Sequence, residues 1–177
     1  MFFLQSERLK LLPLEHTNLL LFLQNRAQLE RSLGLEISNP EIRTWENNDF
    51  MNEIVEAMEH YVIPRVAQNP DHWQWFTHWL VVHRADNLTI GGIGANGLPD
   101  ENGETTIGYY IDQKYEGQGF ASEAVTIFVD WLFDEPTLKA VIADTPEAHV
   151  ASQKVLIRNS FTYAGAVEEG TRWRRVR

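Results

Sequence analysis

The chain has no cysteine. That excludes disulfides, thiolate metal sites and a cysteine nucleophile, and it fits a reducing, cytoplasmic setting. Positive charge is scarce: 15 Lys and Arg stand against 25 Asp and Glu, a net charge of −10. A global nucleic-acid footprint would be basic, so direct nucleic-acid binding is not expected, whereas an acidic site for a cationic substrate is compatible with this balance. Long apolar runs are also missing. The longest early one, Leu19 to Leu23, is far too short to span a bilayer, and the opening MFFLQSERLK has neither the basic region nor the apolar core of a signal peptide. No membrane association is expected. Internal repeats, low-complexity tracts and long linkers are absent, and 177 residues suffice for a single domain, 1–177, with a real core.

What is present alternates between strand and helix periods. Arg8 to Leu11 reads as a short strand ending near Pro13, Leu14 to Gln24 as helix, and a second helical piece runs through Leu33. Phe50, Ile54, Met58 and Val62, with Met51 and Val55 beside them, form one helical stripe that Pro64 should end or kink. Glu46, Asp49, Glu53, Glu56 and Glu59 cover much of the rest of that helix, as a solvated face or as an acidic wall over a cationic substrate. Trp73 to His83, Leu88 to Ala95 and Thr105 to Ile111 read as three strands of an antiparallel meander. His72 and His78 share a face of the first, about 20 Å apart if extended, too far to hold one metal.

Residues 117–133 then take a helical period, Leu138 to Ala143 a strand, Val150 to Asn159 a last helix, and Phe161 to Val167 with Thr171 to Val176 a terminal hairpin. A crossover helix between two strands makes those strands parallel. The expectation is an α+β fold: a mixed, mostly antiparallel sheet of about six or seven strands with helices on both faces. Trp73 and Trp75, taken as exposed, would allow a homodimer.

The chemistry concentrates at YEGQGFASEA, residues 115–124. A strand ends near Ile111 and a helix starts near Gly117 to Gly119, so backbone N–H donors and the positive end of the helix dipole meet a flexible turn. Such a start suits a phosphate. A helix-entry turn would use the same glycines. A Walker-type loop is excluded because no Gly-Lys-Ser/Thr occurs, and a dinucleotide fingerprint because position 122 is serine.

Ile107-Gly108-Tyr109-Tyr110-Ile111-Asp112, followed by Tyr115-Glu116-Gly117-Gln118-Gly119-Phe120-Ala121-Ser122-Glu123-Ala124, resembles the acetyl-CoA signature of GNAT N-acetyltransferases. More narrowly, it resembles the branch that acetylates N-termini of ribosomal proteins. Ser6 to Leu11 and Val150-Ala151-Ser152, with Val155-Leu156 and Phe161, are similar to that branch too. The resemblance implies a GNAT fold with acetyl-CoA as cosubstrate and a primary amine, of a small molecule or a protein N-terminus, as acceptor. It implies that Glu116, Gly117, Gln118, Gly119, Phe120 and Ala121, with Ser122, hold the pyrophosphate, and that Tyr110, Ile111 and Asp112 run beside the pantetheine arm. His149, where the family usually has asparagine, and Ser152 complete the cofactor set, with no metal.

Four further departures stand out. Glu116 replaces the usual Gln or Arg and should turn from the phosphates; Leu156 occupies the place of the family's tyrosine acid; Thr106 replaces a frequent glutamate; and Ser160 replaces a glycine, with Asn159 before it able to take a left-handed cap. Catalytic residues are therefore unknown, with Glu104 and Tyr110 as the candidates at hand. An α-amine is roughly a quarter neutral at pH 7.4 and a lysine amine about 0.1%, so an α-amine asks less of a base. The alternative is a non-catalytic acyl-CoA-binding module. The basic end, Thr171 to Arg177, would contact the CoA 3′-phosphate or RNA, or form an ordinary charged strand.

Overall fold

The computed structural model describes residues 2–42, 50–168 and 170–177. Its frame is one sheet in the order β1-β2-β3-β4-β5-β6-β8-β7. The strands are β1 (Leu4–Gln5), β2 (Leu9–Pro13), β3 (His78–His83), β4 (Leu88–Ala95), β5 (Glu104–Ile111), β6 (Ala140–Thr145), β7 (Thr162–Val167) and β8 (Gly170–Val176). All neighbours are antiparallel except β5 and β6. Eight strands exceed the expected number because the two-residue β1 is too short to leave a period in the sequence.

Side-chain alternation gives the sheet a core on each face. Leu9, Leu11, Trp79, Val81, Ile90, Ile107, Val141 and Trp173 pack with α5 (Phe120–Leu132) and with Leu156 of α6 (Val150–Arg158). Leu12, Leu80 and Val82 point the other way, toward α1 (His16–Gln24), α2 (Arg26–Ser32), the helix Phe50–Ala57 (α3) and the helix Ile63–Gln68 (α4). Trp79 is fully buried against Phe128 and Trp131. Phe161 and Leu156 close the far end of the same core.

The structure departs from the sequence reading at several points. Trp73 to His83 is not one strand: Trp73–Trp75 is a 3-10 turn and the strand starts at His78. Trp75 is buried against Trp131 at 5.3 Å and Trp73 is half-buried, so this pair supplies no exposed dimer patch. Trp73, Trp75, Phe76 and Thr77, four aromatic and β-branched residues, carried the strand signal, but here they pack from a turn ahead of the strand. The extended spacing assumed between His72 and His78 fails for the same reason. Pro64 does not stop its helix. Met58–Val62 forms a π turn just before it, and helix continues to Gln68. A π turn absorbs the carbonyl that a proline leaves without a donor. Ile54, Met58 and Val62 point into the second core as the stripe required, whereas Val55, expected beside them, is exposed; Glu46 and Asp49 of the acidic face lie outside the described residues.

After α6 it is Ser160, not Asn159, that takes the left-handed conformation, with φ 62. Asn159 sits at φ −95 and points its amide inward. The cap is completed by Phe161 N donating to the Leu156 carbonyl and Ser160 N to that of Ile157, both at 3.0 Å.

Candidate active site

The parallel pair β5/β6 is bonded only at its start. Glu104, Thr105 and Thr106 face Ala140, Val141 and Ile142, and beyond them the strands part. The opening leads into a cleft of about 1880 Å³, lined by Ile107 to Ile111 on one side and Ala143 to Thr145 on the other. α5 begins at its mouth. Gly117 and Gly119 sit at φ 74 and φ 85, and no side chain caps the helix start. A Cβ added at Gly117 would meet nothing within 4 Å, so the backbone there is open to approach. The first-turn N–H groups of an α-helix have no intrahelical acceptor, and they carry the positive end of its dipole. Lys154 and Arg158, one turn apart on α6, add charge to the same wall.

The loop is braced from outside. Ser6 and Arg8 both bond the Glu123 carboxylate, Arg8 through Nε at 2.7 Å, and Arg8 also donates to the Gln118 carbonyl at 3.1 Å. Burial pushes the Glu123 carboxyl up, but the bonds from Ser6 and Arg8 and the Arg8 charge outweigh it and hold it below the ordinary carboxylate range. The Arg8 guanidinium lies 4.5 Å over the Phe120 ring, and Tyr115 bonds Asp86 at 2.9 Å. Reading the sequence locally missed Arg8 and Glu123, because 115 positions separate them. Asn159 ties α6 to α5 in the same way. Its amide donates to Ser122 Oγ at 3.1 Å and accepts from Thr126 Oγ1 at 2.6 Å.

The expected cofactor residues divide into three groups. Tyr110, Ile111, Glu116, Gly117, Gly119, Phe120, Ala121, Ser122, His149 and Ser152 all line the cleft. Gln118 turns its side chain back to the Lys114 carbonyl at 3.1 Å. Asp112 is buried and caps a turn through Lys114 N at 3.0 Å, so its side chain serves the loop rather than the cleft. Glu104, a catalytic candidate, pairs with Arg174 at 2.8 Å at the closed end of β5, outside the cleft lining. Leu156 is fully buried, where a hydroxyl would have had to reach the cleft.

The basic C-terminus is engaged with its own chain. Arg172 pairs with Asp144, Arg174 with Glu104 and Arg175 with Asp130, while Arg177 bonds the Phe133 and Glu135 carbonyls.

Two tyrosines of β5 point to opposite faces. Tyr109 bonds Ser152 Oγ at 2.9 Å on the α6 side. Tyr110 bonds His78 Nε2 at 3.2 Å on the other, its ring stacked on the imidazole at 5.8 Å. Burial, then the Arg26 charge, lowers His78 to about 3; burial pushes both tyrosines up to about 12, partly opposed by Ser152 at Tyr109 and by Arg26 at Tyr110. None of the three is poised near neutral pH. One histidine in an apolar strand has no partner visible in the sequence, and the 32 positions between His78 and Tyr110 hide this one.

The model of the GNAT acetyltransferase domain matches residues 20–162. The chain belongs to the GNAT acetyltransferases. The protein is an acyltransferase by family. An uncharacterized N-acetyltransferase of Bacillus subtilis, YjdG, is 27% identical over 173 residues, covering 98% of this chain and 97% of the relative. Among solved structures, the ribosomal L7/L12 alpha-N-protein acetyltransferase RimL in complex with coenzyme A superposes with TM-score 0.67 at 15% identity, covering 99% and 98% of the two chains. The aminoglycoside acetyltransferase AAC(6')-Ib, also with coenzyme A, gives 0.61 at 14%, covering 96% and 95%. At these identities the two structures establish the shared fold, which is the mixed GNAT sheet described above. No helix among the described residues is long and apolar enough to cross a membrane.

Proposed function

We propose that this GNAT protein transfers the acetyl group of acetyl-CoA to a primary amine, with the α-amine of a protein N-terminus or a small molecule as acceptor. The observation that carries the reading is the parting of β5 and β6 beside a glycine-rich helix start. Bound acetyl-CoA supplies the acetyl group as an activated thioester. The residues fit it: the backbone of Glu116 to Ala121 offers donors to the pyrophosphate, Lys154 and Arg158 oppose further phosphate charge, and the gap between β5 and β6 beyond Thr106 gives the pantetheine arm a path beside Ile111. Glu116 is exposed at the mouth, where its carboxylate can turn to water.

The three ring side chains of the cleft support an α-amine acceptor. His78 is held neutral and the tyrosines protonated, so none of them takes a proton readily from an ammonium at pH 7. An α-amine arrives partly neutral and needs no such base. RimL and AAC(6')-Ib, by their names, act on a ribosomal protein and on aminoglycosides, so both acceptor kinds occur on this fold.

Calorimetry with acetyl-CoA, beside mass spectrometry of products from N-terminal peptides and small amines, tests the reading. Acetylated α-amines are expected. Acetylation of lysine side chains alone would remove the α-amine preference. Binding without turnover on any amine would favour an acyl-CoA-binding module, the reading that the buried Leu156 supports.

A further inference from the structure

The cleft has two halves, set by the alternation of β5. Ile107 and Ile111 belong to the core under α5, so Thr106, Gly108 and Tyr110 face the side of α1 to α4. His78 is in phase with Leu80 and Val82, which point to that same side. The glycine start of α5 and the Tyr109–Ser152 pair serve the first half. The second half is floored by Gly108, where an added Cβ would meet nothing within 4 Å, and by Tyr110, backed by His78.

This pair is built in. Gly92 lies beneath it: a Cβ there would come within 2.2 Å of His78 Cε1 and 2.8 Å of Tyr110 Cε1. The imidazole is held from behind by Phe22 at 5.5 Å, and Phe22 lies under the Arg26 guanidinium at 5.2 Å. Arg26 is tied to the fully buried Glu30 at 3.2 Å, and Ser38 N bonds the same carboxylate at 2.7 Å. Four elements thus converge to fix one hydroxyl at the edge of a cleft.

We infer that Tyr110, oriented by His78, positions the incoming amine: its hydroxyl donates to His78 Nε2 and turns an oxygen lone pair toward the amine N–H. A phenol is the stronger donor and an imidazole nitrogen the stronger acceptor of the two, which sets the direction of the bond. A hydroxyl that donates becomes a better acceptor, because the bonds polarise one another. The imidazole stays neutral, so the hydroxyl keeps this polarity throughout the working pH range and no positive charge from His78 repels an approaching amine. Tyr110 is thereby a substrate-positioning group and His78 acts through it. The inference rests on the acetyltransferase reading above.

Steady-state kinetics of the full chain test it, using the wild type's best amine from a panel of N-terminal peptides and small primary amines. Tyr110→Phe and His78→Phe should each raise the acceptor KM about tenfold, the loss of one hydrogen bond made alike in ground and transition state. The acetyl-CoA KM should stay within about twofold, and His78→Gln, which restores an acceptor at the same reach, should recover most of the loss. Circular dichroism checks the fold of each variant, and the Tyr110→Phe and His78→Gln arms stand if His78→Phe does not fold.

An unchanged acceptor KM in Tyr110→Phe overturns the inference while leaving the acetyltransferase reading intact. So does a loss confined to kcat, which would assign proton transfer instead of positioning. A wild-type chain that binds acetyl-CoA yet acetylates nothing in the panel overturns the acetyltransferase reading, and this inference with it.

Discussion

His78 changes the pH dependence of folding as well as lining the cleft. Its folded value of about 3 lies below the ordinary 6.5, because burial, helped by the Arg26 charge, disfavours the cation. The unfolded chain therefore binds a proton at this position that the folded chain refuses. The sign follows: the contribution to stability is whole above pH 6.5 and declines as pH falls toward 3. Urea unfolding at pH 7 and pH 5 should show a smaller acid loss in His78→Phe than in wild type. An equal loss in both would place the titration elsewhere. Nothing at position 78 itself announces this behaviour. It depends on Phe22, Arg26 and Gly92, which arrive from three other elements.

At the scale of elements, two helix ends make opposite demands on glycine. The start of α5 has glycine where φ is positive, and Gly119→Val would force a β-branched residue to φ 85. Calorimetry should show acetyl-CoA binding weakened at least tenfold, about 1.4 kcal/mol, with secondary structure retained. The end of α6 has serine at φ 62, a conformation that costs an L-residue roughly 1 kcal/mol. Ser160→Gly should therefore raise stability by about that amount in chemical denaturation, with no change in activity.

The contrast also says what was legible in the sequence. Elements with a clean period emerged nearly to the residue: Leu88–Ala95, the terminal hairpin, α6 and the stripe through Ile54, Met58 and Val62. The glycine loop was legible because positive φ and helix polarity are local properties. What failed was tertiary. Trp73 to Trp75 has strand composition but folds as a turn, since Trp75 is drawn onto Trp131. Asp112 and Gln118 lie within the signature yet bond their own loop. Arg8, Glu123 and His78 matter through partners far away in the chain, and no window of sequence holds both members of such a pair.

For the whole molecule, the feature with the widest consequence is the short contact between β5 and β6. Five strands lie on one side of it and three on the other, and the two groups share backbone pairing over only three residues of each strand. Mechanically this is a seam, reinforced by the Glu104–Arg174 pair at its closed end and the Tyr109–Ser152 bond across the gap. Seams of this kind open before the ladders beside them do. Hydrogen exchange should find the amides of residues 104–106 and 140–142 less protected than those of β3 and β4. Saturating acetyl-CoA should slow them selectively, and at a hundred times its Kd it should add about 2.7 kcal/mol to the stability of the chain. A ligand lodged in the gap is then also a clasp. The protein would hold its two half-sheets together most firmly while loaded, and slacken each time it lets the spent cosubstrate go.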